Sequence, residues 1–430
     1  MSVAVATKEL NFASKREKAV SASAERIEVP PQNGSSFSLS QTIDLRLPSG
    51  MARGHYLDMQ NSYVKLAISC NRAVASDAND VHLPRNGIYN LIQKVEILSS
   101  SATLSVIEDY HKLCNIFLDS ECDAVFKLGF GQAQFGMDEA SVKGQPLTLS
   151  AGTGTKKTTF AFPLILTNLA SSSKYLPLFS NDNIIIRLTL ASRTDGLISG
   201  NNVTDANSNI IVNPVSMICN VVKLDAMAQS LVDEANGGVY TMILDDYRNA
   251  KSVVAQTDRS INANLGFSNQ SLSRVLFAFY NAPTLTTDSQ GDRPHRSVSE
   301  YTFQLNGKNY PAQKIKVNHS ASDLNISEAI AEIRASTRQA MDFGQANDIT
   351  LTQFNTDDAG GRAFYEIDLE GLRSGEDTVY SGLYTVGGTT SLEVSMNADG
   401  NAQNTLNVFA QYQGALTLDT NGSNVFTYSV

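Results

Sequence analysis

The sequence predicts an all-β fold built as two sandwich domains of nearly equal size, with helices confined to short inserts. Three observations carry that expectation. Apolar residues recur at every second position in both halves of the chain, the period of a half-buried strand. Turn pairs such as Asn86-Gly87, Asn306-Gly307 and Asn421-Gly422 punctuate the alternation. Near mid-chain, one short helical pattern runs into Asn236-Gly237-Gly238 and reads as a joint.

Residues 1–35 mix Ala, Ser, Lys and Glu without a sustained apolar face and end in VPPQNGSS, whose prolines and glycine stop any helix. They read as an N-terminal arm. From Phe37 the period becomes two: Phe37, Leu39, Ile43, Leu45 and Leu47 share one face of an extended segment. The same parity groups Val64, Leu66, Ile68 and Cys70, then Ile184, Ile186, Leu188 and Leu190. In the second half it groups Val275, Phe277 and Phe279, then Tyr301, Phe303 and Leu305. Near the C-terminus, Leu406, Val408, Ala410, Tyr412, Leu416 and Leu418 take one face, with Asn407, Gln411, Gln413, Thr417 and Asp419 on the other. Such alternation belongs to antiparallel sheets rather than to the continuous apolar strands of a parallel one.

Helical spacing is rarer. Tyr110, Leu113, Cys114 and Phe117 mark one helix, Leu224, Met227 and Leu231 a second, and Ile326, Ile330 and Ile333 a third, with Asn325 and Glu328 placed for a capping box. The second helix sets a boundary near Gly237, giving an arm (1–35), a first domain (36–236) and a second (237–430). Stretches 131–157, 193–209, 284–297 and 345–361 are rich in Gly, Asn, Ser, Thr and Asp without periodicity and read as long loops.

The chain's 430 residues suffice for two or three domains at about 150 residues each. With Lys+Arg 33 against Asp+Glu 43, the net charge of −10 argues against coating bare nucleic acid by charge neutralisation, and no sequence-specific nucleic-acid binding is expected. Cys70, Cys114, Cys122 and Cys219 are scattered without a Cys-x-x-Cys pair, so reduced thiols are the default. The first residues lack the basic and apolar regions of a signal peptide, and no apolar run approaches the roughly 18 residues of a membrane-spanning helix. Without a signal peptide, the six Asn-x-Ser/Thr sequons read as chance products of an Asn- and Ser-rich chain.

Chemistry is sparse. No two histidines have the spacing that places both on one helical face for a metal, and no metal or cofactor is expected. His55 with Asp58, and Asp109 with His111, are the nearest approaches to a base and its orienting carboxylate, but neither adjoins a nucleophile signature. GTGTKK at 152–157 lacks the spacing of a phosphate loop. Asp245-Asp246 and Asp357-Asp358 read as solvated edges rather than calcium sites. Arg334 and Arg338, one helical turn apart, suit a phosphate, a neighbour's carboxylate, a subunit contact or a solvated face. In the arm, Lys15, Arg16 and Lys18 are nearly cancelled by Glu9, Glu17, Glu25 and Glu28. The expectation is a protein that is not an enzyme.

Particular strings carry a resemblance. LIQKVEILSSSATLSVIEDYHKL (91–113) is similar to a strand pair running into a short helix, and FAFPLILTNLASSSKYLPLFSNDNIIIRLTL (160–190) holds the paired segments Pro163-Leu164 and Pro177-Leu178. YTFQLNGKNYPAQKIKV (301–317) brings Gly307, Tyr310 and Pro311 into a strand, Gly turn and Tyr-Pro stretch; SGLYTVGGTTSLEVSM (381–396) and FAQYQGALTLDTNGSNVFTYSV (409–430) look like closing strands. Together they resemble the double jelly-roll major capsid proteins of tailless icosahedral DNA viruses.

The resemblance implies two consecutive eight-stranded jelly rolls in one chain. It further implies a homotrimer of pseudo-hexagonal outline that tiles an icosahedral shell around a DNA genome, with partners among neighbouring capsomers and minor capsid or penton proteins. The arm and C-terminus are expected toward the inner face, where an internal membrane is a candidate partner. The expected place is the virion, after synthesis inside the host cell. A β-sandwich receptor- or carbohydrate-binding protein, a spike or adhesin, is the alternative, and the absence of Trp counts against it.

Overall fold

A computed structural model describes residues 22–73, 80–100, 102–138, 143–149, 153–199, 208–288, 290–337, 349–371, 381–422 and 424–429. Residues 1–21 of the expected arm, Gly152 and Arg338 lie outside them.

Eight strands on the N-terminal side carry the first roll: β1 (Ala22–Val29), β2 (Thr42–Arg46), β3 (His55–Arg72), β4 (Ile92–Leu98), β5 (Thr103–Ile107), β6 (Gly154–Phe162), β7 (Ile185–Leu190) and β8 (Ser208–Leu224). Eight more carry the second: β9 (Val239–Val254), β10 (Ser260–Asn264), β11 (Leu272–Asn281), β12 (Val298–Leu305), β13 (Lys308–Lys316), β14 (Tyr365–Asp368), β15 (Thr390–Met396) and β16 (Asn404–Asp419). In space the first roll runs β1-β8-β3-β6 in one sheet and β2-β7-β4-β5 in the other. The second runs β9-β16-β11-β14 and β10-β15-β12-β13, the same order strand for strand. All these pairings are antiparallel. Leu176–Pro177 and Phe426–Ser429 add short flanking strands, and Val81–Pro84, Lys143–Pro146 and Ile198–Ser199 make a small third sheet beside the first roll.

The apolar parity predicted from sequence points inward. Ile43, Leu45 and Leu47, Val64, Leu66, Ile68 and Cys70, and Ile186, Leu188 and Leu190 are buried in the first core. Phe277 centres the second, its ring 5.2 Å from Tyr301 and 5.1 Å from Tyr365. Fully burying such a side chain contributes about 1.5–3 kcal/mol. The Asn306-Gly307 pair makes the two-residue hairpin between β12 and β13, both residues at positive φ (52° and 76°), the conformation that matches the twist of the flanking strands.

Three expectations are corrected. Residues 22–29, read as arm, form β1, which pairs with β8 from Ala22 opposite Leu224 to Val29 opposite Met217. Only Ile27 and Val29 are even half-buried there, so no apolar face marked the strand; backbone pairing to β8 holds it. The mid-chain helix, α2 in chain order after α1 (Tyr110–Glu121), spans Ala226–Asn236, but Met227 and Leu231 are 74% and 58% exposed while Ala228 and Gln229 are buried. Its buried side follows packing rather than hydrophobicity, because Gln229 accepts from Tyr56 Oη (2.8 Å) and donates to Tyr240 Oη (3.1 Å). The third helix, α3 (Ser327–Ser336), starts at Ile326 without a side-chain cap. Glu328 there accepts from the Lys316 backbone N–H (3.1 Å), and the capping box belongs to Thr350 and Gln353 instead.

Candidate functional site

The residues that stand out physically lie on the seam between the rolls. Helix α1 follows β5 and is buried nearly all round, from Tyr110, Leu113, Cys114 and Phe117 to His111, Asn115 and Asp119. One side packs in the first roll; the other meets the second. Phe117 contacts Tyr247 of β9 edge to face at 5.8 Å, and the Arg274 guanidinium of β11 lies 4.8 Å over the Phe117 ring. Each such contact adds roughly 0.5–1.5 kcal/mol beyond area burial. This cover explains why β11 is buried on both faces, and why Asn407 and Phe409 of β16 are buried on the side the sequence assigned to solvent.

At the centre of the seam, Asp119 accepts from Arg293 Nη2 (2.7 Å) of the second roll and from Arg85 Nη2 (3.1 Å), Lys127 Nζ (2.9 Å) and Asn86 Nδ2 (3.0 Å) of the first. Asp119, Lys127 and Arg293 side chains are wholly buried. Burial alone would raise the Asp119 carboxyl; the cations Arg85, Lys127, Arg293 and Arg362 outweigh it and hold the carboxyl well below the usual range. Nearby, burial raises Asp288, while burial and then the charge of Asp288 push Asp292 up to about 7.

A second buried carboxylate joins the strands themselves. Asp246 of β9 accepts from Ser105 Oγ of β5 and from Tyr412 Oη of β16, each at 2.7 Å, and burial pushes its carboxyl up to about 6 against those hydrogen bonds. Further along β9, Lys251 Nζ lies 2.9 Å from Asp109, Ser171 Oγ accepts from the Asp245 N–H (2.9 Å), and Lys174 Nζ donates to the Thr241 carbonyl (3.2 Å). At one end of the seam, Asn424 Nδ2 donates to the Phe179 carbonyl (3.0 Å).

The residues singled out by resemblance do not converge. Pro163 and Leu164 leave β6, the Pro163 carbonyl accepting from Tyr89 Oη at 3.0 Å; Pro177 and Leu178 are buried beside β3, where Pro177 stands opposite Tyr56. Gly307, Tyr310 and Pro311 sit on the β12–β13 hairpin of the other roll, and the Tyr310-Pro311 bond is cis.

The chemical candidates also disperse. His55 Nδ1 is engaged with the Ala52 carbonyl (2.8 Å), and Asp58 accepts from Asn61. Asp109 is ion-paired with Lys112 and Lys251, while burial lowers His111 to about 4. The Lys156-Lys157 pair lies in β6 opposite Cys70 and Ser69, so the described part of GTGTKK is strand. Asp246, read as part of a solvated edge, is fully buried. Among the described residues, no three His, Cys, Asp or Glu side chains gather to hold a metal, and no helix is long and apolar enough to cross a membrane.

Sequence reasoning missed two clusters. One is the Asp119 network, whose only sequence sign is a carboxylate on a helix apolar on several sides. The other is a pair of histidines, His295 and His319, stacked at 4.0 Å with rings 6° from parallel.

No protein-family model and no curated protein matches the chain. Solved structures do. VP54 of PBCV-1, as fitted into a reconstruction of the virophage Sputnik, matches with TM-score 0.65 and 12% identity over 97% of this chain and 99% of that one. The Faustovirus major capsid protein matches with TM-score 0.56 and 10% identity over 94% and 92%, and that of mavirus with 0.53 and 9% over 100% and 96%. Coverage of both chains nearly end to end, with the repeated strand order, shows the architecture: the chain has the double jelly-roll fold, in which these viral major capsid proteins are built.

Proposed function

We propose that the chain is a viral major capsid protein, three copies of which close into a pseudo-hexagonal capsomer that tiles an icosahedral shell around a DNA genome. One observation carries the reading: two rolls of identical strand order are welded side by side by a buried seam into one unit of the double jelly-roll fold. Three such units supply six similar rolls, an outline that packs a flat facet. The reading divides the chain near Gly237, after α2, and is supported by each sheet among the described residues drawing its strands from one side of that point. The function is assembly, with partners in further copies of the chain, neighbouring capsomers and minor shell proteins. An inward-facing N-terminal arm, an underlying membrane and a place in the virion belong to the same reading. It assigns no catalytic step.

The test is light scattering with electron microscopy of the same purified peak. A species of three 46.4 kDa chains, about 139 kDa, with a six-sided outline supports the reading. A stable monomer that never assembles overturns it.

A further inference from the structure

The seam inside the chain shows which edges of two rolls fit together. Edge strand β5 of the first roll meets edge strand β9 of the second, through the Ser105–Asp246 hydrogen bond at 2.7 Å. Along β9, Tyr240 meets Phe179 (5.5 Å) and Tyr247 meets Phe117 (5.8 Å) of the first roll, and both tyrosines and Asp246 are buried. Since strand order is the same in both rolls, β13 is the counterpart of β5 and β1 the counterpart of β9.

Within one chain those two counterparts find no such partner among the described residues. β1 ends its sheet beyond β8, with Ala22 to Arg26 and Glu28 exposed; β13 ends its sheet beyond β12, engaged at its last residue by Glu328 of α3 but with Lys308, Ala312, Gln313 and the Lys316 side chain exposed. Long unpaired edges are surfaces that chains cover or use. Their charges are opposite in sign. β1 presents Glu25 and Glu28 with one cation, Arg26; β13 presents Lys308 and Lys316, while Lys314 is already held by Glu300 (3.1 Å) and Glu393 (2.6 Å).

We propose that β1 of one copy docks against β13 of a second copy, repeating between chains the junction that β9 makes with β5 within a chain. This rests on the capsid reading and names the surfaces that would close its capsomer. Each copy offers one β1 edge and one β13 edge, so the contact is head to tail and closes as a ring when the rotation at each junction permits. Six junctions, alternating within and between chains, complete a ring of six rolls at three copies. Opposite charges on the rims set which edges meet and speed their encounter.

The experiment uses the full chain and measures mass by sedimentation velocity, with thermal melts to check folding. Expected for the unaltered chain is a trimer near 139 kDa, three times the 46.4 kDa chain. Glu25→Lys with Glu28→Lys, and separately Lys308→Glu with Lys316→Glu, are expected to weaken trimer formation at least tenfold with unchanged melting, because all four side chains are exposed. Combining all four substitutions restores the opposite signs and is expected to restore the trimer. A trimer that both charge-reversed pairs leave untouched, or that the combination fails to rescue, overturns the docking while leaving the capsid reading standing. An unaltered chain that stays monomeric overturns both.

Discussion

Asp119 and Arg293 stand 174 positions apart in sequence and 2.7 Å apart in the fold, each wholly buried, and their ion pair joins the first roll to the second. Removing one member of a buried pair leaves the other charge without its compensation, which typically costs about 3–5 kcal/mol. Here Asp119 also answers Arg85 and Lys127, so Asp119→Ala leaves several cations facing one another. A loss in the upper part of that range is expected in urea unfolding. Asp119→Ala as stable as the parent chain would show that the network does not hold the seam. Because the Asp119 carboxyl is held well below its unfolded value of 3.8, its contribution is full well above that value and is lost progressively as pH falls from there through the depressed value.

The stacked His295–His319 pair predicts acid lability. Burial pushes each ring down to about 4, and the neighbouring His295 adds to the effect on His319. His295 Nδ1 accepts from the Ser297 N–H (2.9 Å), a bond its protonated form cannot make. His319 is held by Asn355 Oδ1 (2.8 Å) and Tyr365 Oη (2.9 Å), and Asp357 stands 3.8 Å from His295. Between about pH 6.5 and 4 the unfolded chain binds more protons than the folded one, so stability falls as pH falls, by at most about 3 kcal/mol per ring. Urea midpoints measured across that window should drop, and His319→Gln should flatten the slope.

Asp246 predicts the opposite slope. Its carboxyl is raised from 3.8 to about 6 by burial, so between those values the folded chain holds the extra proton and stability falls as pH rises. Asp246→Asn keeps the shape, and a rotated Ser105 or Tyr412 hydroxyl can accept from the new amide. The variant should be relatively more stable than the parent at pH 7 than at pH 4. A difference that does not change with pH would mean Asp246 does not titrate in this range.

Gly307 predicts a local backbone effect. Its φ is 76°, and a Cβ added there would have no atom within 4 Å, so Gly307→Ala meets no clash, only the left-handed conformation that L-residues disfavour. The expected loss is about 1 kcal/mol, read as a lowered melting temperature.

Much of the architecture was legible in sequence because it is local. Alternation in β16 told which side chains enter the core, and Asn306-Gly307 told where the chain reverses. The strings Pro163-Leu164 and Pro177-Leu178 stand out in sequence, but nothing in them says that Pro177 lies beside Tyr56 of β3. β1 was not legible, since its side chains are exposed and its order comes from backbone bonds to β8, nearly two hundred positions away. The seam was not legible either. Asp119, Arg85, Lys127 and Arg293 are unremarkable charges until the fold removes them from water together.

The sequence by itself determined the all-β class, the short helix before Gly237 and the inward faces of the main strands, because period and turn chemistry act between near neighbours. Tertiary structure alone decided that the two rolls share one strand order, that β9 is buried against β5 and α1, and that β1 and β13 end their sheets among the described residues. Those features depend on contacts between distant segments, where burial sets the energy of a charge and its position along the chain does not.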